Sequence, residues 1–307
     1  MNKAAKFIAN PFIIFRQPRV LDHMRWLSDE TYLRLVYHAY TGERLNLNDP
    51  QTFNEKLQWI KLHDRNPLYT TLVDKYRVKQ WVASRIGAEH VAMTYAMWER
   101  AEDIDISGLP ERFVLKTNHD CGGVAICRDR ATFDLDAAKR ALTDHLKTNY
   151  FWRTREWPYK DVKPCVFAEE YLSPVKGEAD PADYKVSCFA GEPRLIEVHR
   201  GRSTNHTCDY YTPDWCLLPD IEWAGLSKSA DGSAAPDCLG EMLGFSSALT
   251  KGFPQARADW YVVGERLVFG ELTLFNDAGF GPMDDRTATM MGSWIDLGLA
   301  YGPIGRM

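Results

Sequence analysis

Apolar residues recur at helical spacing through the first hundred residues of the chain. Thr52 and Glu55 form a capping box, in which each side chain accepts a hydrogen bond from the backbone N–H of the other residue, and apolar residues follow at intervals of three and four. A second apolar stripe extends from Leu72 to Ile86 and ends at Gly87, a residue type that often caps helices. We therefore predict a mainly helical N-terminal region over residues 1–100.

The pattern then changes to short apolar runs bounded by turn residues, which are typical of β-strands. The predicted strands of this part are Val91–Met97, Phe113–Thr117, Val124–Cys127 and Cys165–Leu172. A helical period returns over Asp134–Asn149, between the third strand and the fourth. We expect a small lobe over residues 101–167 that is flanked by a β-α-β unit.

The second half of the chain alternates between apolar and polar residues in two pairs of strands. The predicted hairpins join Tyr184–Phe189 to Arg194–His199, and Ala258–Val263 to Leu267–Leu274. A helix is expected over Leu239–Lys251, after a connection rich in Ser, Gly, Asp and Pro. Residues 168–307 are therefore expected to form a second lobe around an antiparallel sheet, and the predicted fold class is α+β.

Composition narrows the function classes. The 307 residues carry a formal net charge of −5, whereas binding to nucleic acid relies on clustered Lys and Arg, so we expect no nucleic-acid partner. The seven cysteines are odd in number and include no CxxC pair, which argues against a disulfide framework and against a zinc knuckle, and indicates a reducing, cytoplasmic location.

No apolar run reaches the roughly 20 residues that a membrane span requires. The run Phe7–Phe15 is interrupted by Asn10 and Pro11 and is too short for a signal core. We interpret it as an arm that packs on the body of the protein, with a membrane-surface anchor as the alternative. Peripheral association with an assembly at the inner face of the membrane remains compatible with either interpretation.

The stretch FVLKTNHDCGGVAIC, residues 113–127, places Lys116 near the end of one predicted strand and Gly122 and Gly123 just before the next. Paired glycines allow backbone N–H groups to approach an anion closely, and the lysine adds a point charge. The pattern is compatible with a phosphate clamp or with a plain hairpin that carries a surface lysine. It is not a Walker loop, because the GxxxxGK[ST] motif is absent from the chain.

The last predicted hairpin carries polar residues where strands usually hide apolar ones. Alternation places Arg257 and Asp259 on one face of their strand, and Glu271 and Thr273 on one face of its partner. Facing carboxylates repel each other unless a cation lies between them, and Mg²⁺ typically takes one or two carboxylates together with substrate phosphates. The alternative is a solvated face with an Arg–carboxylate pair.

Between these two motifs, the strand end Ala168–Leu172 offers a side-chain acceptor and backbone groups to a planar base. Further charges stand at alternating positions, at Asp183 and Lys185 and at Arg200 and Arg202. Each of these groups is unremarkable by itself.

Taken in order, these motifs resemble the TupA-like branch of the ATP-grasp superfamily, from about Leu45 to Phe280. The segments that carry the resemblance are Thr52–Trp59, Leu72–Tyr76, Arg112–His119, Arg155–Lys160, Ala168–Leu172, Asp183–Lys185 and Gly270–Thr273. The resemblance implies an ATP-grasp fold, in which two α+β lobes clasp ATP. It also implies Mg²⁺ as the accompanying metal ion.

Carried over by position, the resemblance implies that Lys116 contacts the α- and β-phosphates and that Glu169 meets the adenine amino group. The implied nucleotide-binding residues are Lys116, Asn118, His119, Gly122, Gly123, Glu169, Glu170, Tyr171, Leu172 and Asp183. Arg257 is expected to stabilise the transferring γ-phosphoryl group, and Lys185, Arg200 and Arg202 are expected to line the phosphates and the acceptor. Asp259, Glu271 and Thr273 are the expected magnesium ligands.

Three features depart from the common pattern. Thr273 stands where other ATP-grasp enzymes carry Asn, and Asp120 and Cys121 stand where this branch has small residues. The turn Asn276–Gly279 lacks the usual proline. An extra carboxylate in a phosphate-covering loop weakens anion binding unless a cation meets it, so the role of Asp120 is open.

The resemblance implies an ADP-forming ligase that activates a carboxylate as an acyl phosphate and joins it to an amino acid or another amine. By analogy the carboxylate belongs to a uronic-acid-type sugar of a bacterial surface polysaccharide or capsule. A kinase, a glycosyltransferase and an inactive polymer-binding module are the alternatives; Asp103-Ile-Asp105, the DxD pair we considered for glycosyl transfer, looks like a linker. The aromatic segment Trp152–Tyr159 either stacks sugar rings or packs at the junction of the lobes.

Overall fold

The computed structural model describes residues 11–174, 180–221, 223, 225–229 and 231–300. The α-helices are α1 (Pro18–Asp22), α2 (Asp29–Thr41), α3 (Phe53–His63), α4 (Tyr69–Val73), α5 (Arg77–Ile86), α6 (Leu135–Leu146), α7 (Phe151–Thr154), α8 (Leu239–Thr250) and α9 (Asp285–Ser293). The strands are β1 (Thr94–Trp98), β2 (Phe113–Thr117), β3 (Val124–Cys127), β4 (Val166–Glu170), β5 (Asp183–Phe189), β6 (Glu192–Arg200), β7 (Thr207–Tyr211), β8 (Gln255–Val263) and β9 (Arg266–Thr273). Short 3₁₀ helices lie at Pro11–Arg16, Ala88–His90, Ala101–Asp103, Trp157–Tyr159, Asn276–Gly279 and Leu297–Leu299.

A four-stranded sheet, in the order β1-β4-β2-β3, forms the small lobe. Strands β3 and β4 are both antiparallel to β2, so they run in the same direction, and the crossover between them through α6 confirms the predicted β-α-β unit. Phe113 and Leu115 are fully buried in a core that also includes Leu142 of α6. Burial of apolar side chains of this size contributes roughly 1.5–3 kcal/mol each.

The small sheet crosses both of the lobe boundaries that we predicted. Strand β1 precedes the boundary at residues 100/101, and β4 contains the one at 167/168. The reason is that β1 pairs with β4, so that Met97 lies opposite Phe167. Such pairing between distant segments leaves no local signal in the sequence.

The five-stranded sheet of the large lobe has the order β7-β6-β5-β8-β9, and both predicted hairpins are confirmed within it. One face is apolar and packs on α8, where the fully buried Trp260 donates a hydrogen bond to Ser246 Oγ at 2.9 Å. The other face carries polar and charged side chains. This division follows from the period-two alternation of the strands.

The first helices of the N-terminal region pack in a separate hydrophobic core, and the later ones pack in the core of the large lobe. Helices α1 and α2 share a cluster with Phe280, whereas α3, α4 and α5 pack into the core of the large sheet. The capping box of Thr52 and Glu55 is present at the start of α3. The apolar stripe over Leu72–Ile86 does not form one continuous helix, because the chain breaks between α4 and α5.

Asp74 causes this break. Its Oδ1 accepts hydrogen bonds from the backbone N–H groups of Tyr76 at 3.0 Å and Arg77 at 3.1 Å. A short polar side chain that bonds to nearby backbone offers an alternative to continued helix, so α5 starts afresh after it. Gly87 ends α5 with a positive φ of 102°, as predicted.

The N-terminal arm is described from Pro11 onwards, and the first half of the run Phe7–Phe15 lies outside the described residues. The described part packs on α2, where the Arg16 guanidinium donates to Ala39 O at 2.7 Å. Within the described residues, no helix has the length and apolar character needed to cross a bilayer. All seven cysteines are free thiols.

Candidate active site between the two sheets

The loop between β2 and β3 depends on its two glycines. Gly122 adopts a φ of +100°, in the region that disfavours other residues. A Cβ on Gly123 would lie 1.8 Å from Thr117 Oγ1, so no other residue fits there without a shift. The backbone N–H of Thr117 donates to Gly123 O at 2.8 Å and closes the loop.

The side chains at the base of this loop point into the body of the protein. Asn118 donates to Lys163 O at 3.0 Å and accepts from Cys165 N at 2.8 Å, and His119 Nε2 lies 3.1 Å from Thr148 O. The predicted contacts of Asn118 and His119 with ATP stay predictions. The backbone and the exposed Cys121 form the outer part of the loop.

The carboxylate of Asp120 is hydrogen-bonded within the loop region. Thr117 Oγ1 and His145 Nδ1 both lie within hydrogen-bond distance of it. The extra acid therefore holds the loop against α6. This accounts for a carboxylate in a loop that is expected to cover phosphates.

Lys116 projects from β2 onto Glu169, which lies on β4. Lys116 Nζ and Lys79 Nζ each lie 2.5 Å from a different oxygen of the Glu169 carboxylate. Burial by itself would raise the pKa of Glu169, but the two lysine charges outweigh it and lower the pKa below its ordinary value. The predicted contact of Glu169 with the adenine amino group stays a prediction.

Two lysines that the sequence patterns did not single out, Lys75 and Lys79, also contact residues of the site. Lys75 Nζ donates to Asp120 O at 2.6 Å and lies 3.9 Å from Glu271 Oε2, so this lysine links the loop to the large sheet. A lysine near the N-terminus of a helix is repelled by the positive end of the helix dipole. Lys75 precedes α5 and Lys79 lies in its first turn, and this unfavourable placement is the signal that could have identified them.

One face of the small sheet carries exposed apolar side chains beside charged ones. Directly paired residues share a face, so Val124 and Ile126 of β3 lie on the same side as Lys116 and Glu169. Their exposed fractions are 45% and 46%, although both side chains are fully hydrocarbon. Val124 and Ile126 therefore form an exposed apolar patch on the face that carries Lys116 and Glu169.

The chain leaves the small sheet at Glu170. The Glu170 carboxylate accepts from Met93 N at 3.2 Å and from Arg266 Nη1 at 2.7 Å, which fastens the end of β4 to the start of β9. Tyr171 follows, with Arg112 5.4 Å above its ring, and Leu172 is half-buried. A cavity of about 650 Å³ lies beside Glu170, at the start of the segment Glu170–Leu172, which we call the hinge.

The polar face of the large sheet carries the predicted catalytic hairpin. Arg257 pairs with Thr273, and Asp259 pairs with Glu271, which confirms that the four side chains share one face. Arg257 donates two hydrogen bonds to Asp259, at 2.6 and 2.8 Å, and one to Thr273 Oγ1 at 3.2 Å.

Lys185, which lies opposite Asp259 on β5, is ion-paired with the same carboxylate. Burial alone would raise the pKa of Asp259, but Arg257 and Lys185 together lower it. Asp183 is ion-paired with Lys185 at 3.2 Å and with Arg202. Arg200 ends β6 opposite Thr207. Its neighbour His199 pairs with Asp183 and shares the polar face, so strand alternation places Arg200 on the opposite face of the sheet.

The two lobes meet around a cleft of about 170 Å³. The loop contributes Asp120 and Cys121, and the large sheet contributes Arg257, Glu271 and Thr273. The structure therefore brings the loop and the hairpin together from segments more than a hundred residues apart. Lys75, Tyr150, Glu156, Tyr159 and Asp277 also line the cleft.

The aromatic segment Trp152–Tyr159 packs at the junction of the lobes. Arg155 is 2% exposed and lies against the rings of Tyr32 and Phe151, at 4.4 and 5.2 Å. It also donates to Met24 O at 3.1 Å, so the segment anchors the first helices to the body. The ring of Trp157 lies 6.1 Å from that of Tyr69, and the ring of Tyr159 lies 5.1 Å from that of Tyr150. These contacts favour the packing interpretation, and sugar stacking stays the alternative.

Several solved structures share similarity with this chain. A D-alanine–D-alanine ligase from Helicobacter pylori is 12% identical, with a TM-score of 0.43 over 79% of this chain and 69% of that chain. The Bacillus anthracis D-alanine–D-alanine ligase complexed with ATP is 17% identical, with a TM-score of 0.38 over 69% of this chain and 58% of that one. A RimK domain ATP-grasp protein from Sphaerobacter thermophilus is 13% identical, with a TM-score of 0.39 and coverages of 74% and 69%.

This chain thus spans less than two thirds of the length of the Bacillus ligase. No curated protein matches it. A profile of the family described as TupA-like ATPgrasp matches residues 55–296, a range that holds the loop, the hinge and the charged hairpin alike. With most of its length matched, the chain belongs to the TupA-like family of the ATP-grasp superfamily, and the predicted family and fold are confirmed.

Proposed function

We propose that the protein is an ADP-forming ligase that joins a carboxylate to an amine through an acyl phosphate. One observation carries the proposal: the glycine loop of the small lobe and the charged hairpin of the large sheet, with Arg257 and Glu271, line the same cleft. Lys75 connects the two groups, since it contacts both the loop and Glu271. A nucleoside triphosphate with a divalent cation has the charge pattern that suits such a cleft.

The donor set fits Mg²⁺. Asp259 and Glu271 face each other on paired strands, and Thr273 Oγ1 lies 3.3 Å from Glu271 Oε1, so hard oxygen donors are gathered at one point. Glu271 is 39% exposed towards the cleft and keeps room for a further ligand. When bound, the metal ion would neutralise phosphate charge; Asp259 and Glu271 would hold it, with Thr273 beside them.

The remaining groups suit the nucleotide. Val124 and Ile126 offer an exposed apolar patch for a base, on the sheet face that also carries Lys116 and Glu169. Lys79 and Lys116 are held by one shared carboxylate, from which a phosphate could draw them. Backbone N–H groups of the loop lie on the other side of the cleft, where Gly122 and Gly123 allow close approach.

Catalysis in this proposal rests on position and charge. One oxygen of the substrate carboxylate bonds to the γ-phosphorus as the bond to the β,γ-bridging oxygen breaks, which gives an acyl phosphate and ADP. The amine nitrogen then bonds to the acyl carbon, phosphate leaves, and the amine proton passes to solvent. Arg257 and Lys116 stabilise charge during the first step, and Lys185 with Arg202 orients the acceptor carboxylate.

The acceptor class is proposed from the family alone. The branch takes its name from teichuronopeptide synthesis, so a uronic-acid-type carboxylate and an amino acid of a bacterial surface polysaccharide are the leading substrates, in the cytoplasm or at the inner face of the membrane. A kinase is the second candidate. It would use the same clamp with a hydroxyl acceptor in place of the carboxylate.

The test is to incubate the protein with MgATP and a panel of uronic acids, other sugars and amino acids, and to measure ADP and free phosphate separately. Ligation yields both products only when carboxylate and amine are present together. ADP with a phosphorylated acceptor and no free phosphate would replace the proposal by the kinase. Release of a nucleoside diphosphate from a nucleotide sugar would replace it by glycosyl transfer.

A further inference from the structure

A second group of metal-ligating side chains lies on the polar face of the large sheet, and none of its members is among the residues that line the cleft. Glu197 and His199 are two residues apart on β6, and Cys208 lies directly opposite His199 on β7. All three are buried, with exposed fractions of 5%, 7% and 1%. A carboxylate, an imidazole and a thiol therefore lie together in a site that is shielded from solvent.

The distances among their ligand atoms suit a tetrahedral ion. His199 Nε2 lies 3.6 Å from Cys208 Sγ and 3.6 Å from Glu197 Oε2. With Zn–S and Zn–N bonds of the usual length, the edge of a zinc tetrahedron is about 3.5 Å. All three ligand atoms lie within 4.8 Å of one another, so small rotations of the side chains suffice to surround an ion.

His206 orients the imidazole of His199. Its Nδ1 lies 3.0 Å from Nε2 of His206. In the tautomer in which Nδ1–H donates to His206, the lone pair of Nε2 points towards Cys208 and Glu197. Histidines that bind metals almost always donate their other ring N–H to a neighbouring acceptor in this way.

Glu197 adds an independent observation. Within the described part of the chain, its Oε1 is buried and has no hydrogen-bond partner. A buried carboxylate oxygen without a partner is costly, and native proteins usually satisfy such groups with water or an ion. An ion between Glu197, His199 and Cys208 would satisfy this one.

We propose that Glu197, His199 and Cys208 bind Zn²⁺, with a fourth coordination position left for water or a substrate atom. The mixed sulfur, nitrogen and oxygen set favours zinc over magnesium, which takes oxygen ligands. On binding, the Cys208 thiol loses its proton to solvent and the sulfur bonds to the metal.

This site is distinct from the one assigned to magnesium. Strand β5 and its residues Asp183 and Lys185 separate β6 from β8, so the zinc site lies two strand spacings, or about 10 Å, from Asp259. Lys185 lies opposite Glu197, but its ammonium group is ion-paired with Asp183 and Asp259. The zinc proposal does not depend on the proposed ligase activity.

The test uses the full-length protein, purified, freed of metal with a chelator and shown by circular dichroism to be folded. Zn²⁺ is expected to bind with a stoichiometry of about one per chain by mass spectrometry of the metal, in the presence of excess Mg²⁺. Co²⁺, used as a spectroscopic probe, is expected to show thiolate-to-metal charge transfer and the strong visible bands of a tetrahedral site. A folded wild-type protein that takes up neither ion would overturn the proposal.

Variants assign the ligands. Cys208→Ser and Glu197→Gln are expected to remove the charge-transfer band or the tight binding, whereas Cys216→Ser, which alters an exposed thiol, is expected to leave both unchanged. His206→Gln should weaken zinc affinity by about 10–100-fold, as changes behind a metal ligand typically do. Unchanged binding in Cys208→Ser, or equal loss in Cys216→Ser, would contradict the assignment.

Discussion

Lys185 and Asp259 lie directly opposite each other on neighbouring strands of the large sheet, and their side chains form an ion pair inside the protein. Arg257 donates two hydrogen bonds to the same Asp259 carboxylate. The Asp259 carboxylate, one of the proposed magnesium ligands, is therefore already ion-paired with two cationic side chains. Metal binding has to compete with them, and the cations it displaces become available to phosphate, so metal and nucleotide are expected to bind together.

Glu271→Gln is expected to lower turnover by about 10²–10³-fold, because it removes one charge from the proposed metal site. The side chain is 39% exposed, so the change should leave the melting temperature within a few degrees of the wild type. Steady-state kinetics at varied Mg²⁺ concentration measure the effect. The matched control is Glu265→Gln, in the turn after β8; near-normal rates in Glu271→Gln would remove the metal assignment.

Lys79→Met is expected to weaken ATP binding by roughly tenfold or more, in line with the loss of a charge-assisted hydrogen bond. Isothermal calorimetry with ATP provides the measurement. Lys147→Met, which changes a lysine with a 69% exposed side chain on the surface, serves as the control. Equal affinities in the two variants would show that Lys79 serves only to hold Glu169.

Gly123→Ala is expected to disturb the loop, because the added methyl group would lie 1.8 Å from Thr117 Oγ1. Overpacking of this kind typically costs about 1–3 kcal/mol. We expect both a lower free energy of unfolding and weaker ATP binding. Gly108→Ala is the control, since a Cβ there meets nothing within 4 Å; if Gly123→Ala behaved like it, the loop would differ from that described.

The stability of the protein should dip near neutral pH. Burial raises the pKa of Glu156 from 4.5 to about 7, so the folded protein holds a proton that the unfolded chain releases, and stability falls as pH rises through this window. Burial also lowers the pKa of Lys61 from 10.5 to about 7, so stability is regained between pH 7 and 10.5 as the unfolded chain loses its extra proton.

Glu156→Gln is expected to flatten the fall between pH 4.5 and 7, which we place at about 3 kcal/mol. Urea unfolding at a series of pH values measures it, with Glu192→Gln as an exposed control. A wild-type profile that is already flat across this range would refute the assignment of the shift to Glu156.

Much of the site follows from local patterns. Strand alternation alone predicts that Arg257 and Asp259 share a face and that Glu271 and Thr273 share another, and the register of β8 and β9 places both pairs together. The same rule predicts β2 and β3 with the bounds observed. These features depend on neighbours along the chain, which the order of residues states directly.

Other features depend on contacts between distant segments. Lys79 meets Glu169 from a helix ninety residues earlier, and β1 joins the small sheet by pairing with β4. The place of Asp120 is decided by His145 on α6. No local pattern reports such partners, since each needs the lobes to be assembled.

The order of residues by itself determined all the strands except β7, the glycine loop, the charged hairpin and, through their succession, the family. The reason is that periodicity and turn chemistry act over a few residues. Only the tertiary structure decided which polar side chains lie together: Lys75 with Glu271, two lysines with Glu169, and Cys208 with His199 and Glu197. Those meetings depend on how two sheets and their helices pack, and packing is a property of the whole chain.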